Sequence, residues 1–344
     1  MRQSNLELCR IVSILLVVLV HANYAWQGWP TDINTCSIPS LYTEAFAIIG
    51  VNVFVMLTGY FSAKPKLPSL INLTYICLFY AIVRLSFGFF NDDLVETEVL
   101  YITKSNWFIV SYLILLFIAP ILNTYVESVS KCKLEGVILA LFIFETYYGW
   151  FPALCQVNPG YGYGYSVLSF IKLYLIARYI RLNGLPFIFK KYSLVVYIIC
   201  SILIGSMAYF QLSKGLHTNL STLSYGYNNP IVLLASIAFF SFFENLKIGN
   251  QKWINYIAQS CLAVLLLHGS YSTAGWMKAY FGDTYNSYDG VILIPIWFAG
   301  LLMVLFYSVA VDQIRIYSYK TLSEKLFNTK IYNSINNKFT KYIG

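Results

Sequence analysis

Ten stretches of about twenty residues run through this chain with their apolar side chains almost unbroken, and they leave few folds open. The first shows the pattern: between Arg10 and His21 lie ten residues, Ile11 to Val20, nine of them Ile, Val or Leu. As a helix, about twenty such residues cover the roughly 30 Å hydrocarbon core of a bilayer. The runs are continuous rather than alternating, which favours helices over a β-barrel. Only 11% of the 344 residues are charged, against about 25% in soluble proteins. That is too few to coat a soluble surface of this size. The expected fold is all-α, a polytopic integral membrane helix bundle of ten transmembrane helices.

The spans are expected at 6–25, 41–62, 69–90, 106–126, 134–152, 166–182, 192–212, 230–246, 255–277 and 291–312. Residues 1–312 then form the transmembrane domain, and 313–344 a cytoplasmic basic amphipathic tail suited to the membrane interface. The first span is expected to stay rather than be cleaved as a signal peptide, because no A-x-A-like site follows His21.

Charge orients the bundle. With the N-terminus cytoplasmic, eighteen Lys and Arg residues fall on the inner side, from Arg2 and Arg10 through the even-numbered connections to Lys341. Only Lys104, Lys214 and Lys278 fall outside. This positive-inside bias makes both termini cytoplasmic and accounts for the net charge of +8. The expected partner of the basic surface is therefore the lipid bilayer, not nucleic acid. There is also no long basic arm, zinc-type Cys/His spacing or nucleotide-binding glycine loop. The acidic loop NDDLVETE (91–98) falls outside and reads as a solvated loop; no metal is expected. Arg84 and Lys172 lie within spans and read as boundary or snorkelling cations. Cys36 and Cys155 both fall in outward loops, where a disulfide is conceivable.

Arg10 and His21 are eleven positions apart. At about 100° per residue they lie within about 20° of one helix face, some 16 Å apart along the axis. Glu7, at i−3 from Arg10, can pair with it. Taken alone, Arg10 reads equally as an anchor at the cytoplasmic mouth, and His21 as an imidazole bonded to a neighbouring helix. Their shared face favours a site instead. A guanidinium at the mouth suits an anionic, phosphate-bearing donor, and a histidine deeper in suits proton transfer near neutral pH.

Several segments add a family signal. Arg10-x10-His21 sits in the first span after the opening NLELCRIV (5–12), and GVNVFVMLTGYF (50–61) closes the second span on a small-Gly-aromatic signature. WFIVSYLILLFIAPILN (107–123), LYLIARYIRL (173–182) and INYIAQSCLAVLLLHGSY (254–271) follow in the fourth, sixth and ninth spans. In this register the chain resembles the membrane-bound acyltransferase family 3, bacterial O-acyltransferases of surface glycans and other envelope molecules. The resemblance extends over essentially the whole chain. It implies a multi-pass protein of the bacterial plasma (inner) membrane. The implied acyl donor is cytoplasmic acyl-CoA, most often acetyl-CoA, and the acceptor a sugar hydroxyl in an envelope glycan.

Under the resemblance His21 is the essential histidine and Arg10 the basic residue of the donor side. Many members carry Arg-x-Arg after the second span; here Lys64-Pro65-Lys66 keeps the charge without the bidentate fork, which weakens the carry-over of a phosphate-binding role. Trp107 and Tyr112 fit the fourth-span motif, although an aromatic belt also explains Trp107. His268, near the outer end of the ninth span, either joins the site or is a satisfied buried histidine. Glu44 and Asn52, eight apart in the second span, come close to one face, with Glu44 near the outer mouth. Glu44 either orients His21 or binds sugar, or is simply solvated there. PGYGYGYS (159–166) reads as an irregular outward loop whose tyrosines offer stacking faces. A transporter or flippase of a lipid-linked sugar is the alternative from another class; it requires inverted repeats that the sequence does not show.

Overall fold

The computed structural model describes residues 3–90, 107–155, 162–216, 219–269, 271–288 and 290–342. Among them the chain is helical throughout, with no strand. Seven helical stretches are long and apolar enough to cross a membrane: Ser4–Ala25, Ile38–Tyr60, Leu67–Phe87, Trp107–Ser128, Lys131–Leu154, Phe187–Ser213 and Leu293–Phe327. Pro230–Asn245 is a shorter apolar helix. The acidic loop 91–98, Lys104 and residues 159–161 lie outside the described residues.

Helix α1 (Ser4–Val20) is the central element. It packs against α2 (Ile38–Ala47) and α3 (Gly50–Tyr60), and against α9 (Pro230–Asn245), α10 (Lys252–Ile257), α11 (Cys261–His268) and α13 (Leu293–Phe327). Around this centre stand α4 (Leu67–Phe90), α5 (Trp107–Ser128), α6 (Lys131–Phe144), α7 (Val167–Asn183) and α8 (Phe187–Ser213). Polar contacts gather the N-terminal turn and several connections at one end. Asn5 Nδ2 donates to the Phe243 and Glu244 carbonyls, the Gln251 amide donates to Ser4 Oγ, and Tyr319 Oη donates to the Pro68 carbonyl.

The second, ninth and tenth spans differ from their expected form. The second breaks at Ile48–Ile49, next to Gly50, where α3 lies so close to α1 that an added Cβ would sit 2.7 Å from the Ser13 carbonyl oxygen. The ninth, expected over 255–277, begins as α10, passes through a 3₁₀ turn at Ala258–Ser260 and ends at His268. Gly269 follows in right-handed conformation, and the Thr273 hydroxyl donates to the freed Leu267 carbonyl at 2.6 Å. A separate helix, α12 (Tyr271–Ser287), follows. The tenth does not stop at 312: α13 runs on to Phe327, so the boundary drawn between spans and tail falls inside one helix. A buried carboxylate lies at that boundary. Asp312 accepts two bonds from Arg315 (2.9 and 2.7 Å), one from Tyr80 (2.7 Å) and one from Ser260 (2.8 Å). A charge so fully bonded is tolerable away from water, and it holds α13, α4 and the 3₁₀ turn together. The last helix, α14 (Lys330–Tyr342), packs Tyr332 inward and leaves Ile331 and Ile335 exposed.

The two intramembrane cations are not snorkelling. Arg84 is 0% and Lys172 1% exposed. Lys172 lies on α7, an interior helix wedged against α3, α5 and α6, where it pairs with Glu145. Glu145 opens a π turn (Glu145–Trp150) and also accepts the Ser169 hydroxyl, so its charge is met from two sides. Cys36 and Cys155 are both free thiols, so no bridge joins the two loops.

Candidate active site

At His21 helix α1 changes from α to π geometry, and the π turn runs His21–Ala25. Such single turns widen the helix locally and swing the following side chains round. Here the turn directs His21, Trp26 and Trp29 into one cavity of about 420 Å³. His21 Nδ1 lies 2.7 Å from the Val17 carbonyl oxygen. A carbonyl can only accept, so Nδ1 carries the proton and, in the neutral ring, Nε2 presents its lone pair. His268 is built the same way from the other side: its Nδ1 donates to the Val264 carbonyl at 2.6 Å, and its buried Nε2 meets no partner among the described residues. The two rings meet edge-on, 4.9 Å apart. Trp26 packs on both, at 6.3 and 6.5 Å between centroids.

Away from the histidines the cavity wall is aromatic. Trp107 stands edge-on to Tyr165 at 4.5 Å, Tyr165 lies 4.9 Å from Tyr227, and Trp29 lies 5.9 Å from Tyr225. The tyrosines come from two loops that both read Tyr-Gly-Tyr, 163–165 and 225–227. The Tyr227 amide donates to the Tyr163 carbonyl at 3.0 Å, tying the loops together. Gly164 has φ +91°, and a Cβ there would meet Tyr227 Cβ at 2.7 Å, so the loop requires glycine.

A second cavity of about 300 Å³ lies toward the end of the bundle that holds the N-terminal turn. Arg10, Lys64, Asn72, Tyr112 and Gln259 are among its lining residues. Arg10 Nη1 sits 3.4 Å from Glu7 Oε2, and its side chain remains 31% exposed. Phe54, Phe108 and Leu262 line both cavities. Four helices thus carry a basic vestibule at one level and paired imidazoles at the next.

The family model described as an acyltransferase domain, that of family 3, matches residues 3–312. The chain belongs to acyltransferase family 3. No curated protein and no solved structure matches it.

Membership makes this family 3 acyltransferase a multi-pass membrane enzyme of acyl transfer. Of the residues named from sequence, His21, His268 and Trp107 line the histidine cavity, while Arg10, Lys64 and Tyr112 line the vestibule. Glu7 reaches the vestibule through Arg10 alone. Lys66 is exposed and lines neither cavity. Glu44 and Asn52 are both buried and bond to different elements. Glu44 neither touches His21 nor lines the cavity; it accepts from Asn23 Nδ2 at 2.9 Å and so braces the π turn. Asn52 Nδ2 donates to the Tyr227 carbonyl at 3.1 Å and to Ser236 Oγ at 3.2 Å, holding the second Tyr-Gly-Tyr loop.

Sequence reasoning missed Trp26, Trp29, Tyr225 and Tyr227, which an interfacial aromatic belt would also have explained. The repeated Tyr-Gly-Tyr was the available signal for the last two.

Proposed function

We propose that this family 3 acyltransferase transfers acetyl from acetyl-CoA to a hydroxyl of a bacterial cell-surface polysaccharide or its lipid-linked precursor, in the plasma membrane. The observation that carries the reading is the stacking of the Arg10–Lys64 vestibule directly against the cavity of His21 and His268. With the N-terminal end facing the cytoplasm, as the basic bias predicts, the CoA phosphates meet Arg10 and Lys64. The acceptor enters from the opposite side, where the aromatic wall offers ring faces to the C–H edges of a sugar.

His21 Nε2 takes the acceptor hydroxyl proton while the hydroxyl oxygen attacks the thioester carbonyl. The C–S bond breaks, the C–O ester bond forms, and the proton passes from Nε2 to the departing thiolate, leaving free CoA thiol. The Val17 carbonyl keeps Nδ1 protonated through the cycle and holds the ring in register. A covalent acyl-histidine is the alternative course, and single-turnover labelling with radioactive acetyl-CoA separates the two.

The test is replacement of His21 by Ala, with acetate ester on the surface glycan measured by NMR. Loss of ester at normal protein level is expected; full acetylation in His21→Ala cells removes the assignment. Purified protein should release thiol from acetyl-CoA only when an acceptor is supplied.

A further inference from the structure

Three side chains stand where the two cavities meet. Among the described residues, Phe54, Phe108 and Leu262 are the ones common to both linings, and each comes from a different helix. In each helix the shared residue sits among cavity residues in helical register. Val51 precedes Phe54 on the histidine side and Thr58 follows it on the vestibule side. Tyr112 lies one turn past Phe108 toward the vestibule. Gln259 and Leu265 flank Leu262 three residues either way. The two cavities therefore form one column along the bundle, meeting at the level of these three side chains.

The three side chains are not equivalent. Phe108 is 7% exposed and held by neighbours on several sides: it stacks on Tyr112 (5.8 Å, 12°) and meets Phe170 at 5.6 Å and Trp107 at 6.0 Å. Phe54 stands at right angles to it, 6.2 Å away. Phe54 and Leu262 are only half-buried, since each borders empty space above and below. Phe108 is thus a fixed wall, and the other two can turn by rotamer change without moving backbone.

We propose that Phe54, Phe108 and Leu262 form a throat through which the acyl-bearing arm of the donor reaches His21, and that the throat together with the cavity beyond it limits the size of the acyl group the enzyme transfers. The proposal rests on the acyl-CoA reading above. A donor anchored at Arg10 and Lys64 can bring its thioester to His21 only along this column. Its acyl group must clear the throat and then share about 420 Å³ with the acceptor. A short acyl group passes; each added methylene meets ring faces on one side and Leu262 on the other. Apolar sites discriminate by about 10- to 200-fold per methylene.

The experiment uses the purified full chain in nanodiscs, with 4-nitrophenyl glycosides of common hexoses as acceptor probes. Thiol release is followed from acetyl-, butyryl- and hexanoyl-CoA. Leu262→Ala and Phe54→Leu, which widen the throat, should raise the butyryl-to-acetyl ratio of kcat/KM by about tenfold or more. Leu262→Phe should lower that ratio and slow acetyl transfer while the affinity for CoA itself stays at the wild-type value. A ratio within twofold of wild type in both widened variants, with the proteins eluting as folded particles, overturns the throat while leaving the donor reading intact. Absence of thiol release from every acyl-CoA in the wild type would instead remove the donor reading and the throat with it.

Discussion

The imidazoles of His21 and His268 meet edge to plane, with 4.9 Å between centroids and 75° between planes. Each ring spends its Nδ1 proton on a carbonyl of its own helix, four residues back, so two Nε2 acceptors face one cavity. Groups that serve the same hydroxyl do not contribute independently. His21→Ala is expected to lower acyl transfer by about 10²- to 10⁴-fold. His268→Gln should lower it less, and the double variant should fall little below His21→Ala alone. Measuring kcat/KM for the four proteins checks this; strictly multiplicative losses would separate the two histidines.

Lys64 and Lys66 differ in position although they flank one proline. Lys64 lines the vestibule and Lys66 does not. Lys64→Ala should raise the KM for acetyl-CoA severalfold and flatten its dependence on ionic strength, because a charge–phosphate contact is screened by salt. Lys66→Ala should leave both near wild type. Donor titrations at low and high salt decide it.

The two Tyr-Gly-Tyr loops set the aromatic wall. Gly164→Ala would force a left-handed residue to carry a Cβ against Tyr227 and the Asn228 amide, at 2.7 and 2.8 Å. The expected result is a raised KM for the acceptor with little change in the KM for the donor. Asn52→Ala, which frees the Tyr227 carbonyl, should shift the same parameter in the same direction.

The Glu145–Lys172 pair lies away from both cavities, and its removal tests stability rather than chemistry. Lys172→Met leaves a buried carboxylate without its cation and should cost about 3–5 kcal/mol. Adding Glu145→Gln should recover part of that loss. Thermal unfolding in detergent, followed for the single and double variants, reads the difference.

How much of this was legible in the sequence depends on what each residue does. Long apolar runs dictated helices, and the eleven-residue spacing carried Arg10 and His21 toward one column. The breaks were less visible. Gly269 follows the last residue of the ninth span and Gly50 marks the second-span interruption, yet glycine is common in membrane helices for other reasons. Glu44 and Asn52 lie on one helical stretch, but their partners, Asn23 and the Tyr227 carbonyl, come from elements that a single span does not reveal. Phe54, Phe108 and Leu262 were unreadable, since the same residue types face lipid elsewhere in this chain. Arg84 and Lys172 passed for boundary charges because their depth depends on packing that no single span reveals.

The bond from Nδ1 of His21 to the Val17 carbonyl has a consequence for the whole membrane. An imidazole conducts protons only if one nitrogen can receive while the other releases, and this one has a single working nitrogen. His268, tied to Val264, has the same limit. A proton gained from one ligand can go only to another in the same cavity. The two imidazoles are therefore wired as dead ends for protons. Across a membrane, side chains fixed in this way offer a proton no through-route.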